Sequence, residues 1–208
     1  MYGINYFIYN NSYMFNKMIN NDFRNSHFKI KELGIDGDIY NAFGIIAKNI
    51  FRFNNETKKE IYKLINNLNL PKKYIGFHIR AGDKITEAEL IKPEKYIESL
   101  KKHSDIKDIF ISTDDYFVVE KLKNQYGSKY NIYTLTNKKE LGYNQYDFEM
   151  SNKNEKYNHL IEFFASIEIL LNSELCFGSY TSNPSIFLGA VLGKEKFIEV
   201  NSLDFRIL

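Results

Sequence analysis

From about position 56 onward, apolar residues along the chain alternate between two spacings. In Glu56–Leu70 they fall at Ile61, Leu64, Ile65 and Leu68, one face of a helix, and Pro71 stops the run. Tyr74–Ile79 is short, apolar and rich in β-formers, which predicts a buried strand. Helix Pro93–His103 follows, with proline in its first turn, then strand Ile106–Ser112. Helix Tyr116–Tyr126 is expected to close on Gly127 as a left-handed cap, before strand Asn131–Thr136. Asn137–Lys156 reads as the longest loop. Helix Asn158–Asn172 is apolar nearly all round and should be mostly buried. Strand Glu174–Phe177, a helix from Pro184 to about Leu192, and strand Lys196–Val200 complete the pattern. Before position 56 the signal is weaker. Asn10–Asn25 is polar and aromatic without a period, and Ile39–Phe53 predicts a helix running into a short strand.

Strand–helix alternation over this length predicts an α/β fold, a Rossmann-like parallel sheet with helices on both faces. We divide the chain into a reduced N-terminal region, 1–55, and a Rossmann-like domain, 56–208. Right-handed crossovers bring the loops that follow the strands to one edge of the sheet, where such folds bind ligands. Composition narrows the partners. Over 208 residues the net charge is only +2, and lysines are interspersed with glutamates, so nucleic acid is not an expected partner. Cys176, the single cysteine, lies in an apolar run; it excludes an internal disulfide and reads as a buried filler. No apolar run reaches bilayer length, and the first residues lack the order of a signal peptide. No membrane partner and a soluble, cytoplasmic protein are the expectation.

Three loops should converge at that edge: His78–Glu87, Ser112–Asp115 and Ser179–Ser185. In the first, the strand of YIGFHIRAGDK ends in His78, Arg80, Asp83 and Lys84. The Arg80 fork suits a diphosphate and Lys84 adds a compact cation. A surface turn with Arg80 paired to Asp83 explains the same residues. In the third loop, small hydroxyl residues precede a proline-led helix, whose free amides and dipole make an anion site; an ordinary capped helix start has the same composition. Asp114 and Asp115 could hold a divalent ion, but no further ligand is spaced to complete a cage. A helix cap with a contact to a ribose or base fits them better.

Together these motifs resemble the GDP-fucose-binding half of fucosyltransferases, nearest the α-1,6-fucosyltransferase group and its protein O-fucosyltransferase relatives. The group's H-V-R-R-T-D-K followed by T-E-A is matched by His78-Ile79-Arg80-Ala81-Gly82-Asp83-Lys84 and Thr86-Glu87-Ala88. Its T-D-D stands as Thr113-Asp114-Asp115, and its small-residue run as Tyr180-Thr181-Ser182-Asn183. The likeness runs from about Phe51 to Val200. Three departures stand out. Ala81 replaces a second arginine, the stretch from Lys84 to Glu87 is one residue shorter, and the aspartate of the buried helix falls on Ser166, with Glu162 one turn earlier on the same face.

The resemblance implies the nucleotide-sugar-binding half of a GT-B glycosyltransferase, with residues 1–55 as part of an acceptor-side subdomain. It implies an inverting, metal-independent transfer of fucose from GDP-fucose to a glycan or protein hydroxyl, with no cofactor beyond that donor. Arg80 would contact the diphosphate and His78 would lie beside the nucleotide, with Asp83 in the same loop. Lys84 would stabilise the leaving group and Glu87 would be the base. Asp115 would touch the nucleoside, Glu162 would stand in on the buried helix, and Tyr180, Thr181, Ser182 and Asn183 would hold the phosphates. An acceptor site this small would be either reduced or completed by a second copy in a homo-oligomer. The alternative is a non-catalytic GDP-sugar-binding module or an inactive fucosyltransferase relative. Other nucleotide-acting α/β enzymes are disfavoured, since the chain has no Walker-type loop and no G-x-S-x-G elbow.

Overall fold

The computed structural model describes residues 26–81 and 90–201. A short antiparallel hairpin, β1 (Phe28–Ile30) and β2 (Ile35–Gly37), precedes helices α1 (Ile39–Ile50) and α2 (Asn55–Asn67). Then come β3 (Ile75–Ile79), α3 (Pro93–His103), β4 (Asp108–Thr113), α4 (Tyr116–Tyr126) and β5 (Asn131–Tyr133). The chain continues through α5 (Gln145–Met150), α6 (Lys153–Leu171), β6 (Leu175–Gly178), α7 (Asn183–Leu192) and β7 (Phe197–Glu199). Five strands form one parallel sheet in the order β5-β4-β3-β6-β7. The fold is therefore α/β and Rossmann-like, as the alternation predicts.

All five residues of β3 are buried, as a central strand covered on both faces requires. Ile75, Phe77 and Ile79 point to one face and pack with Ile109 and Ile111 against Tyr96, Ile97 and Leu100 of α3 and Val119 and Leu122 of α4. Phe110 and Cys176 point to the other, against Ile167 and Leu170 of α6 and Ile186 and Leu188 of α7. Cys176 is fully buried, and burial pushes its thiol pKa up. Helix α1 lies directly on α7: a Cβ on Gly44 would sit 2.3 Å from the Ala190 carbonyl oxygen. Part of the segment 1–55 thus packs against the sheet domain. Among the described residues no helix is long and apolar enough to cross a membrane.

Several local expectations change. No strand follows α1; residues 51–53 lead straight to Asn54, whose side chain accepts from the Thr57 amide and starts α2. The β1–β2 hairpin was not expected, since three-residue strands carry no readable period. Strand β5 stops at Tyr133 because side chains take over the pairing beyond it. The Thr134 hydroxyl donates to the Ile111 carbonyl and that of Thr136 to the Thr113 carbonyl. Gly127 is right-handed, with φ −62°, and not a left-handed cap.

The long loop is partly helical. It holds α5, and α6 begins at Lys153, five residues earlier than its apolar pattern suggests. The cause is a capping box: the Asn152 side chain accepts from the amide of Glu155, whose carboxylate accepts from the amide of Asn152. Asn152→Ala is expected to lower unfolding free energy by about 1 kcal/mol in urea titrations. An unchanged midpoint would show that the box contributes nothing.

Candidate functional site

The order of strands puts the topological switch between β3 and β6, since the chain builds outward through β4 and β5 and then returns to the other side of β3. The crevice outside such a switch point is where ligands sit in open α/β sheets. Two of the three sequence motifs leave the sheet here, Arg80 directly after β3 and Ser179–Ser182 directly after β6.

A hydrogen bond of 2.8 Å between His78 Nδ1 and Ser185 Oγ ties the end of β3 to the first turn of α7. Gly178 permits this closeness, since a Cβ there would lie 2.8 Å from Ser185 Oγ. His78 is buried and its carbonyl accepts from the Tyr96 hydroxyl at 3.1 Å. Burial lowers its pKa from 6.5 to about 4, with the nearby Asp114 charge opposing and Arg80 reinforcing. The imidazole is therefore neutral in the folded protein at neutral pH.

That depressed value has a consequence for stability. Between pH 6.5 and about 4 the unfolded chain binds a proton at His78 that the folded chain refuses. Stability should thus fall as pH drops through this window and level off below it, by up to about 3 kcal/mol. His78→Asn is expected to flatten the unfolding free energy between pH 6.5 and 4. A variant with the wild-type slope would place the titration elsewhere.

Arg80 lies with its Nε 3.4 Å from Asp114 Oδ2, while Asp114 Oδ1 accepts from the Ala81 amide at 2.8 Å. Its guanidinium carbon is 5.7 Å from the Tyr143 ring centre, a cation–π distance. A pocket of about 310 Å³ opens beside it. Arg80, His78, Thr113 and Asp114 line it from the strands, Pro184 from the start of α7, and Glu162 and Ser166 from α6. Arg80 and the N-terminus of α7 thus face one hollow.

The remaining predicted residues divide three ways. Asp115 does not line the pocket; its carboxylate accepts from the Phe117 amide and caps α4, and Asp114 is the acid at the pocket wall. Tyr180 turns inward: its ring stacks on Phe197 at 5.3 Å, its hydroxyl bonds that of Tyr40 at 2.6 Å, and burial raises its pKa. Ser179 and Ser182 are buried, and among the described residues their hydroxyls have no hydrogen-bond partner. Thr181 is half-buried and Asn183, the first residue of α7, is exposed. Asp83, Lys84 and Glu87 lie outside the described residues.

Sequence reasoning missed Glu140, Tyr143, Phe148 and His159, which line the same pocket. His159, Glu162 and Ser166 share one face of α6 at i, i+3 and i+7, so part of this wall was readable. Among the described residues no group of three or more His, Cys, Asp or Glu side chains could hold a metal ion.

An arginine beyond a central parallel strand, opposite a helix N-terminus, is the layout of an α/β domain for a phosphorylated ligand. Residues 29–144, more than half of the chain, match the family model described as alpha-(1,6)-fucosyltransferase N- and catalytic domains, and the chain belongs to that family of glycosyltransferases. No curated protein sequence matches it. Similar solved structures include the NodZ alpha-1,6-fucosyltransferase soaked with GDP-fucose: 14% identity, 89% of this chain and 61% of that one covered, TM-score 0.49. POFUT1 in complex with GDP is 14% identical over 76% of this chain and 51% of its own, with a TM-score of 0.47. POFUT1 in complex with GDP-fucose is 13% identical over 71% and 46%, with a TM-score of 0.44. The chain spans roughly half of the length of these proteins.

Proposed function

We propose that the chain binds GDP-fucose in this pocket and transfers fucose, with inversion and without a metal ion or cofactor, to a hydroxyl of a glycan or protein. Family membership supports the donor and the reaction class. The observation that carries the reading is the meeting of Arg80 and the α7 N-terminus at one pocket of about 310 Å³, a volume typical of small-ligand sites. The buried hydroxyls of Ser179 and Ser182, beside that helix start and without partners among the described residues, fit a loop made to face an anion.

In the proposed reaction the acceptor oxygen attacks the anomeric carbon from the face opposite the nucleotide. The bond from that carbon to the β-phosphate oxygen breaks, and GDP leaves with the electron pair. Negative charge grows on the β-phosphate, where the Arg80 guanidinium and the amides opening α7 stabilise it without moving. Lys84 is assigned to the same leaving group, and Glu87 to the proton of the acceptor hydroxyl. Asp83 is assigned to donor binding with them. Asp115 contributes by fixing the start of α4, and Tyr180 by anchoring the loop that carries Thr181, Ser182 and Asn183 to the phosphates.

Calorimetry with GDP, followed by assays for GDP release from GDP-fucose over a panel of glycans and glycoproteins, tests the proposal. Micromolar GDP binding with acceptor-dependent release is the expected result. Binding without release against any acceptor would make the chain a GDP-sugar-binding module, and no binding of GDP would remove the reading altogether.

A further inference from the structure

The segment before position 56 carries none of the three motifs, yet one of its side chains reaches the loop between β6 and α7. Asp38 caps α1 by accepting from the Asn41 amide at 2.8 Å, so Tyr40 stands in a fixed first turn. One turn further on, α1 lies against the Ala190 carbonyl of α7 at Gly44, with no room for a side chain. The Tyr40 hydroxyl comes within 2.6 Å of the Tyr180 hydroxyl, across 140 residues of sequence. Lys194, just beyond α7, places its ammonium 5.9 Å from the centre of the Tyr40 ring.

Tyr180 is held closely. Its ring stacks on Phe197, and a Cβ on Gly189 would lie 2.6 Å from that ring and 2.8 Å from its hydroxyl. The residue is 6% exposed, and a phenol this deep gains from a partner for its hydroxyl. Burial raises the pKa of both tyrosines, so both stay protonated at neutral pH and one donates to the other. Tyr180 also sits between Ser179 and Ser182, the two buried hydroxyls that have no partner among the described residues. A loop is ordinarily the least restrained part of a fold, and hydroxyls can meet an anion without rearranging only where their backbone is held. Any shift of Tyr180 shifts both serines.

We infer that Tyr40 is a positioning residue for diphosphate binding: its hydroxyl locks Tyr180, and Tyr180 holds Ser179 and Ser182 where the phosphates arrive. The inference rests on the donor reading above and extends the working parts of the site to α1. Tyr40 does not line the pocket beside Arg80, so it acts through Tyr180.

Calorimetric titration of wild type, Tyr40→Phe, Tyr180→Phe and the double variant with GDP, pyrophosphate and guanosine tests it. Phenylalanine keeps each ring and removes one hydroxyl, and urea unfolding shows that each variant is folded. Each single variant is expected to bind GDP and pyrophosphate about threefold to tenfold more weakly, the worth of one hydrogen bond. Guanosine, which has no phosphate, should keep its wild-type affinity. The double variant should lose no more than the larger single loss, because both changes remove the same bond. Unchanged GDP and pyrophosphate affinity in Tyr40→Phe would overturn the inference and leave the donor reading standing. A guanosine affinity that falls along with the others would do the same, since it marks a general loosening, and so would losses that add in the double variant. Should Tyr40→Phe prove unstable, Tyr180→Phe removes the bond from the other side and is read in the same way. Wild type that binds neither GDP nor pyrophosphate would overturn both readings.

Discussion

Arg80→Ala is expected to weaken GDP binding, and turnover of GDP-fucose with it, by about tenfold to more than a hundredfold. The figure follows from a charge-assisted contact worth about 1.5–3 kcal/mol. Arg80 is held by Asp114 on one side and by the Tyr143 ring on the other, so its guanidinium is oriented before a phosphate arrives. Alanine removes the cation and also leaves Asp114 at the pocket wall, where its charge would repel the diphosphate. Arg80→Lys keeps the charge and loses the planar fork, so it should recover only part of the loss if the contact is bidentate. Calorimetry and steady-state assays on both variants provide the check. Near-wild-type affinity in Arg80→Ala would place the phosphates elsewhere.

The largest effect on stability is expected at Phe77. It is fully buried in the central strand, with the rings of Tyr96 and Phe177 each 5.5 Å away, centre to centre. Phe77→Ala should cost about 3–5 kcal/mol, a large share of the 5–15 kcal/mol typical of a domain. The residues on either side of it along the strand point to the opposite face, where His78 meets Ser185. The cavity should therefore loosen the site as well as the core, and GDP affinity should fall with stability. Chemical unfolding decides the point: a cost below about 1 kcal/mol would mean the sheet closes over the gap.

Much of this architecture was readable because its signals are local. Helices α3 and α4 run over the residues their apolar spacing indicates, from Pro93 to His103 and from Tyr116 to Tyr126. Strand β3 ends at Ile79, where the charges begin. The choice between Asp114 and Asp115 was also open to local reasoning. Asp115 stands immediately before the helix, in the capping position, which leaves Asp114 to face the pocket together with Ser112 two residues earlier. Glu140 and Tyr143 were not readable. They reach the pocket through backbone contacts of their segment with residues 114–116, which no short-range pattern announces. The same holds for the hairpin β1–β2 and for the early start of α6, where Asn152 and Glu155 outweighed a polar composition.

The bond between His78 and Ser185 joins two segments separated by 107 residues through protein atoms alone. Capture of pyrophosphate should therefore be a one-step encounter. In stopped-flow mixing, the observed rate would climb linearly with ligand concentration, with no plateau from a slow isomerisation. Cutting the bond with Ser185→Ala should introduce that plateau, because the helix would then have to find its place after the ligand has landed.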